Sequence, residues 1–233
     1  EPLSLATPNN AFHFCLPHWP HGRIGRLAGL LVAKGLSLRD KYSLARALFK
    51  LEQSQWQIPP STPTLSQWLQ SQKQTAGACR YFWHPLCLAA LNTHPNEADA
   101  QIMANVLKDS MGNPQHGATD VLIANDLLET LWTTQACQTL QLQMSTPIRK
   151  ITESKNGFHL NDCDEHTAII LAIPPSGAKK LLAKLPEYSA SKALLAELAA
   201  FEYRQIATLW VELERPWHAL SNKPMLMLND DPA

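Results

Sequence analysis

The sequence predicts an α+β fold in which a helical subdomain is inserted into a mixed, mainly antiparallel sheet, and three observations carry that prediction. Apolar residues recur at helical spacing through much of residues 22–137. Short strand-like runs separated by turn signals begin at residue 148. A loose alternation over residues 3–15, turning at Pro8-Asn9-Asn10, places a hairpin ahead of the helices. Three segments follow: 1–21, an N-terminal hairpin and loop joining the sheet; 22–137, the helical subdomain; and 138–233, sheet with two helices.

Ile24, Leu27, Leu30 and Leu31 space a helix over 22–34, and Gly35 stops it. Ser37 with Asp40 three residues later resembles a capping box, and Leu44, Leu48 and Leu51 give the second helix one apolar stripe. Three prolines between 57 and 64 lead to Thr64, an N-cap for a short helix through Trp68. Residues 75–91 form an apolar helical stretch that Pro85 should interrupt or kink. Pro95 and Asn96 open a helix over 97–111, with Ala100, Met103, Ala104 and Leu107 on one side and Gly112 past its end. Another helix covers 126–137.

The pattern then changes to strands at Ile148–Thr152, Phe158–Leu160 and Thr167–Ala172. Asn156-Gly157 is the strongest turn signal among them, because both positions accept the positive φ of a tight hairpin turn. Two helices follow Pro174-Pro175, at 177–184 and 189–201, and a last strand over 206–213 alternates, with Ala207, Leu209, Val211 and Leu213 on one face.

With 233 residues, 45% of them hydrophobic, the chain can build one large domain or two small ones with a real core, which excludes disorder. No apolar run reaches a membrane span and no secretory leader is recognisable, so a cytoplasmic protein is the default expectation. The five cysteines are scattered and odd in number and read as reduced thiols. Cys79, His84 and Cys87 match no standard zinc spacing, so no metal is expected. A first residue other than Met and a loop-like tail over 229–233 suggest a piece of a longer protein.

No dinucleotide fingerprint is present, since Gly22, Gly25 and Gly29 have the wrong spacing and follow no strand; P-loop, nucleophile-elbow and zincin motifs are absent too. An autonomous active site is therefore not visible. Residues 23–50 carry Arg23, Arg26, Lys34, Arg39, Lys41, Arg46 and Lys50 against Asp40 alone, a local charge of +6 in a chain of zero net charge. A basic helix pair with a leucine-rich face suits peripheral docking on an anionic membrane; it equally suits a core-facing stripe backed by a solvated basic face. Nucleic acid is not expected, because there is no basic and aromatic platform.

The run Phe82-Trp83-His84-Pro85-Leu86-Cys87-Leu88-Ala89-Ala90-Leu91-Asn92-Thr93, continuing through Ala100-Gln101 to Asn105-Val106-Leu107-Lys108-Asp109-Ser110, resembles the squalene-associated FAD-dependent desaturases, the hydroxysqualene dehydroxylases of hopanoid biosynthesis, within the phytoene desaturase and flavin amine oxidase superfamily. The resemblance extends to Leu27–Leu31, Gly35-Leu36-Ser37, Ala118–Leu122, Ala172–Pro175, and Ile206-Ala207-Thr208 before Arg215-Pro216. It implies the substrate domain of a larger flavoenzyme whose FAD-binding segments lie outside this chain. The implied reaction removes the hydroxyl of hydroxysqualene and gives squalene, with FAD supplying the redox chemistry. The isolated domain would be inactive.

On that resemblance, Trp83 and Leu86 would wall an isoprenoid tunnel and Asn92, where the apolar run stops, would face the pocket or satisfy backbone groups. Asp120, Asp109 and His84 are the candidate proton donors for a leaving hydroxyl. The position of Ile148 matches a strand beside the flavin adenine, and Ala172 to Pro174 match a strand end near the cofactor. Three departures from the family pattern stand out: His84 occupies a position where an acid is more common, Cys137-Gln138-Thr139 replaces glycines before the adenine strand, and Ala124-Asn125 stands where Pro-Arg is common. A carotenoid desaturase or amine oxidase of the same superfamily is one alternative, and a non-catalytic lipid-binding or membrane-docking module is another.

Overall fold

The computed structural model describes residues 4–7, 11–16, 22–113, 115, 118–120, 122, 124–125, 127–163, 165–185 and 189–215, the side chains of residues 22, 23 and 189–191 excepted. The chain forms two compact units, Glu1–Ile123 with Ile206–Ala233, and Ala124–Gln205. The architecture is α+β, and the described strands form two antiparallel sheets of two and three strands. The turn expected at Pro8-Asn9-Asn10 lies outside the described residues.

In the first unit β1 (Ser4–Ala6) pairs with β2 (His13–Cys15), Leu5 opposite Phe14. Among the described residues this hairpin pairs with no other strand, and Phe12, Phe14 and Leu16 enter the helical core. Helix α1 (Gly22–Val32) leads to Gly35 at φ +81°, and the connecting residue Lys34 exchanges backbone hydrogen bonds with His13, at 2.8 and 3.3 Å. Helix α2 (Leu38–Gln53) starts at the expected capping box, Ser37 Oγ accepting from the Asp40 N–H and the Asp40 carboxylate accepting from the Ser37 N–H. Burial alone would raise the Asp40 pKa, but hydrogen bonds from Ser37 and Thr75 and the charge of Arg39 hold it below the ordinary carboxylate value.

Helix α3 (Leu65–Ser71) is capped by Thr64, with Gln67 completing a second box. The apolar run that Pro85 was expected to disturb resolves into a short turn, α4 (Ala76–Ala78), a π-helical turn over Cys79–Trp83, and α5 (His84–Leu91). The wide turn has a local cause. Proline cannot donate to the preceding turn and its ring crowds the carbonyl there; lengthening that turn by one residue relieves the crowding, and the His84 N–H bonds to Cys79 O five residues back.

Helix α6 (Ala100–Asp109) begins three residues later than its periodicity suggests, because Asp99 caps it by accepting from the Ile102 N–H at 2.8 Å. Its start is pinned to that of α3 by Leu65 N–H to Ala98 O and Ala100 N–H to Pro63 O. The core of this unit is a ladder of edge-to-face aromatic pairs, Trp68 on Trp83, Trp83 on Phe82 and Phe82 on Phe14, with centroids 5.2 to 5.7 Å apart.

The helix expected over 126–137 falls in the second unit, as a π-helical turn over Glu129–Thr133 and α7 (Thr134–Thr139). Strands β3 (Ile151–Glu153), β4 (Phe158–Leu160) and β5 (Glu165–His166) pair antiparallel in that order. The expected strand over 148–152 starts late, because the Asn161 carboxamide takes the Arg149 and Lys150 N–H groups. The register, Glu153 opposite Phe158, centres the turn on Lys155-Asn156 rather than Asn156-Gly157, and neither centre residue has positive φ. The left-handed pair sits at the next turn instead, Asn161 and Asp162 at φ 52° and 61°, with Cys163 N–H bonding Leu160 O. Gly157 is needed for proximity: a Cβ there would lie 2.1 Å from His166 O.

Residues 167–172 and 206–213 were expected as strands and are not; no described strand takes their backbone hydrogen bonds, and Ile206, Leu209, Trp210, Val211 and Leu213 are exposed. Helices α8 (Pro175–Leu182) and α9 (Ser189–Ala199) close the second unit within a few residues of expectation.

Cysteine chemistry follows from burial. Cys87 is fully buried, its thiol donates to Thr93 O, and burial pushes its pKa up to about 11. Cys137 and Cys163 are exposed. A thiol reagent at pH 8 is expected to label Cys137 and Cys163 within minutes and Cys87 only after unfolding; peptide mapping of the labelled protein checks this, and rapid native labelling of Cys87 would contradict it.

Candidate functional site

Most residues singled out from the sequence do not form a site. Trp83 is wholly buried, between Trp68 and Phe82, with its indole N–H donating to Gln74 Oε1 at 2.8 Å, so it is core and has no surface to line a wall. Leu86 is half-buried against the same core. Asn92 ends α5 in the left-handed conformation, φ 47° and ψ 35°, and its N–H closes the last turn on Leu88 O. That assigns Asn92 to helix termination.

The three proton-donor candidates lie on different elements. His84 opens α5, Asp109 closes α6 and Asp120 follows a turn beyond it. Burial first, and then the neighbouring His94 ring at 6.4 Å, lower the His84 pKa, so the protonated form that could donate to a leaving hydroxyl is less populated at neutral pH than for an ordinary histidine. Among the described residues no group of three metal-ligating side chains converges.

The flavin-contact candidates do not build a cradle. Ile148 precedes β3 and Ala172 and Pro174 precede α8, all exposed, with no buried unpartnered polar atom beside them. The described residues alone therefore do not fit a flavin.

A different place has the character of a binding site. Helices α1 and α2 run antiparallel, as their two ends show: Lys41 Nζ donates to Leu31 O at 2.6 Å, and Arg26 meets Glu52 at 3.3 Å. Between them lies an open groove of about 190 Å³ lined by Leu27, Leu30, Ala45, Leu48 and Phe49, with Arg26 and Glu52 closing one end. Leu30 reaches the core, whereas Leu27 and Phe49 remain about half exposed, at 52% and 53%.

The polar end is incomplete. One guanidinium nitrogen of Arg26, Nη2, straddles both Glu52 carboxylate oxygens at 3.3 Å, which leaves Nη1 buried with no hydrogen-bond partner. Buried polar atoms are seldom left so, because the desolvation cost is not recovered. The groove is thus an apolar trough closed at one end by the Arg26–Glu52 ion pair, and it can hold part of a hydrocarbon chain. No nucleophilic side chain is among its lining residues.

Sequence reading named Arg26 in a charge run, Leu27, Leu30 and Leu48 in apolar stripes, and Leu27 and Leu30 in the family resemblance as well, but missed Ala45, Phe49 and Glu52. The only available signal was Arg26 and Glu52 flanking two amphipathic helices, which requires the antiparallel packing to be known. No protein-family model matches the chain, and no curated protein matches it.

Proposed function

We propose that this chain is the substrate-binding part of an FAD-dependent oxidoreductase that removes the hydroxyl of hydroxysqualene to give squalene, acting in the cytoplasm at a membrane surface. The observation that carries the reading is the α1–α2 groove, whose apolar walls end at the Arg26–Glu52 ion pair. At about 190 Å³ it is smaller than pockets that engulf a whole ligand, so it takes one end of a long isoprenoid and leaves the rest to other surfaces. The resemblance of residues 82–110 to the dehydroxylases supplies the reaction class. FAD, when bound, supplies the reducing equivalents, and its nucleotide contacts are assigned to segments other than those described.

The test uses the full-length protein. Visible absorption reports bound flavin; anaerobic reduction followed by hydroxysqualene should reoxidise it and yield squalene. Arg26→Met is expected to weaken hydroxysqualene binding about tenfold while leaving squalene binding unchanged, since only the alcohol offers an acceptor. Bound flavin that ignores hydroxysqualene would keep the flavoprotein class and discard the substrate, pointing to a carotenoid desaturase or amine oxidase. No flavin at all would favour a non-catalytic lipid-binding module.

A further inference from the structure

Helix α2 is apolar on two opposite faces. Ser43, Leu44, Ala47 and Leu51 are buried against the core. Leu38, Tyr42, Ala45 and Phe49, at i, i+4, i+7 and i+11, share the outward face, with Leu38 83% and Tyr42 70% exposed. Helix α1 repeats the arrangement: Leu30 is buried while Ile24, Leu27 and Leu31, at i, i+3 and i+7, are exposed. The two outward stripes border the same groove, Leu27 from one side and Ala45 and Phe49 from the other, so they form one continuous apolar face. A solvated helix gains nothing from such a face; contiguous exposed apolar surface of this kind marks an interaction site.

Apart from Glu52, which is paired with Arg26, the charge around it is of one sign. Lys34, Arg39, Arg46 and Lys50 are exposed, and on α2 Arg39, Arg46 and Lys50 fall on one flank of the Leu38–Phe49 stripe. Asp40, the one acid between residues 23 and 50, is engaged by Ser37 and Thr75. A protein core offers no anions to such a rim, and an uncharged partner makes no use of it. Apolar side chains at the centre and long cationic side chains beside them match the acyl boundary and anionic headgroups of a bilayer. No described helix is long and apolar enough to cross a membrane, so contact would be peripheral.

We infer that the outward face of α1 and α2 docks the protein in the plane of an anionic lipid surface, with Ile24, Leu31, Leu38 and Tyr42 inserted and Arg39, Arg46 and Lys50 on the headgroups. This places the groove mouth against the bilayer. The inference stands independently of the oxidoreductase reading, because neither flavin nor substrate enters it.

Co-sedimentation of the protein with phosphatidylcholine vesicles, with and without phosphatidylglycerol, tests it. Binding is expected only with phosphatidylglycerol present, and should weaken as salt is raised. Leu38→Ser with Tyr42→Ser is expected to reduce it tenfold or more, and R39Q/R46Q/K50Q about a hundredfold, on the basis of about fivefold per cation. All five positions are exposed, and unchanged circular dichroism confirms that the variants fold. Equal binding to neutral vesicles, no binding, or binding indifferent to these changes would overturn the inference. So would concentration-dependent dimerisation in sedimentation velocity abolished by the Leu38 and Tyr42 changes, which would assign the face to a second copy of this chain.

Discussion

Replacing Trp83 by alanine is expected to remove about 3–5 kcal/mol from the unfolding free energy, a large share of what a domain usually has. Three losses combine. The indole is completely buried, so its removal leaves a cavity that the surrounding aromatic ladder is too rigid to fill. Both edge-to-face contacts, to Trp68 at 5.6 Å and to Phe82 at 5.2 Å, disappear. The Gln74 carboxamide also loses the indole N–H it accepts. Leu86→Ala, half-buried on the same helical run, should cost roughly 1–2 kcal/mol by comparison. Denaturant titration followed by far-ultraviolet circular dichroism measures both. A Trp83→Ala loss below about 1 kcal/mol, with substrate binding impaired, would restore Trp83 to a pocket wall.

That prediction exposes the limit of reading this chain from sequence. Local signals transferred well: the Ser37–Asp40 capping box, the Thr64 cap and the Gly35 stop each depend on a few neighbouring residues, and each is where the sequence places it. Signals that depend on a partner did not transfer. The alternation of 206–213 specifies two faces, but a strand also needs a neighbour to accept its hydrogen bonds, and alternation cannot supply one. Asn156-Gly157 lost its turn because the register of β3 on β4 shifted the centre by one residue, and Asn161-Asp162 took the left-handed conformation instead.

The candidate site was less legible still. A resemblance in residues 82–93 drew attention to Trp83 and Asn92, which serve packing and helix termination in the structure. The groove arises from residues 26 positions apart, Arg26 and Glu52, joined only when α1 folds back on α2. The basic run of residues 23–50 was visible, but two readings of its leucines were open. Leu30, Leu44 and Leu51 are core, whereas Leu27, Leu31 and Leu38 face outward.

Gly35→Ala should be the other severe substitution, costing about 2–4 kcal/mol. Gly35 has φ +81°, where a side chain strains the backbone, and an added Cβ would sit 2.1 Å from Ala11 O and 3.0 Å from Phe12 Cα. Those are backbone atoms, so no rotamer change relieves the overlap; the β1–β2 hairpin must move away from the α1–α2 connection. That movement strains the paired hydrogen bonds between His13 and Lys34 and draws Phe12 and Phe14 from the core. Gly177→Ala is the matched control, since its Cβ would meet only Ile173 Cδ1 at 3.4 Å within α8, and there alanine should be neutral or stabilising by up to about 1 kcal/mol. If both variants melt together with the parent protein, the hairpin is not held against the connection as described. If Gly35→Ala alone melts early and also loses binding to anionic vesicles, the turn that positions α1 against α2 is what holds the docking face together.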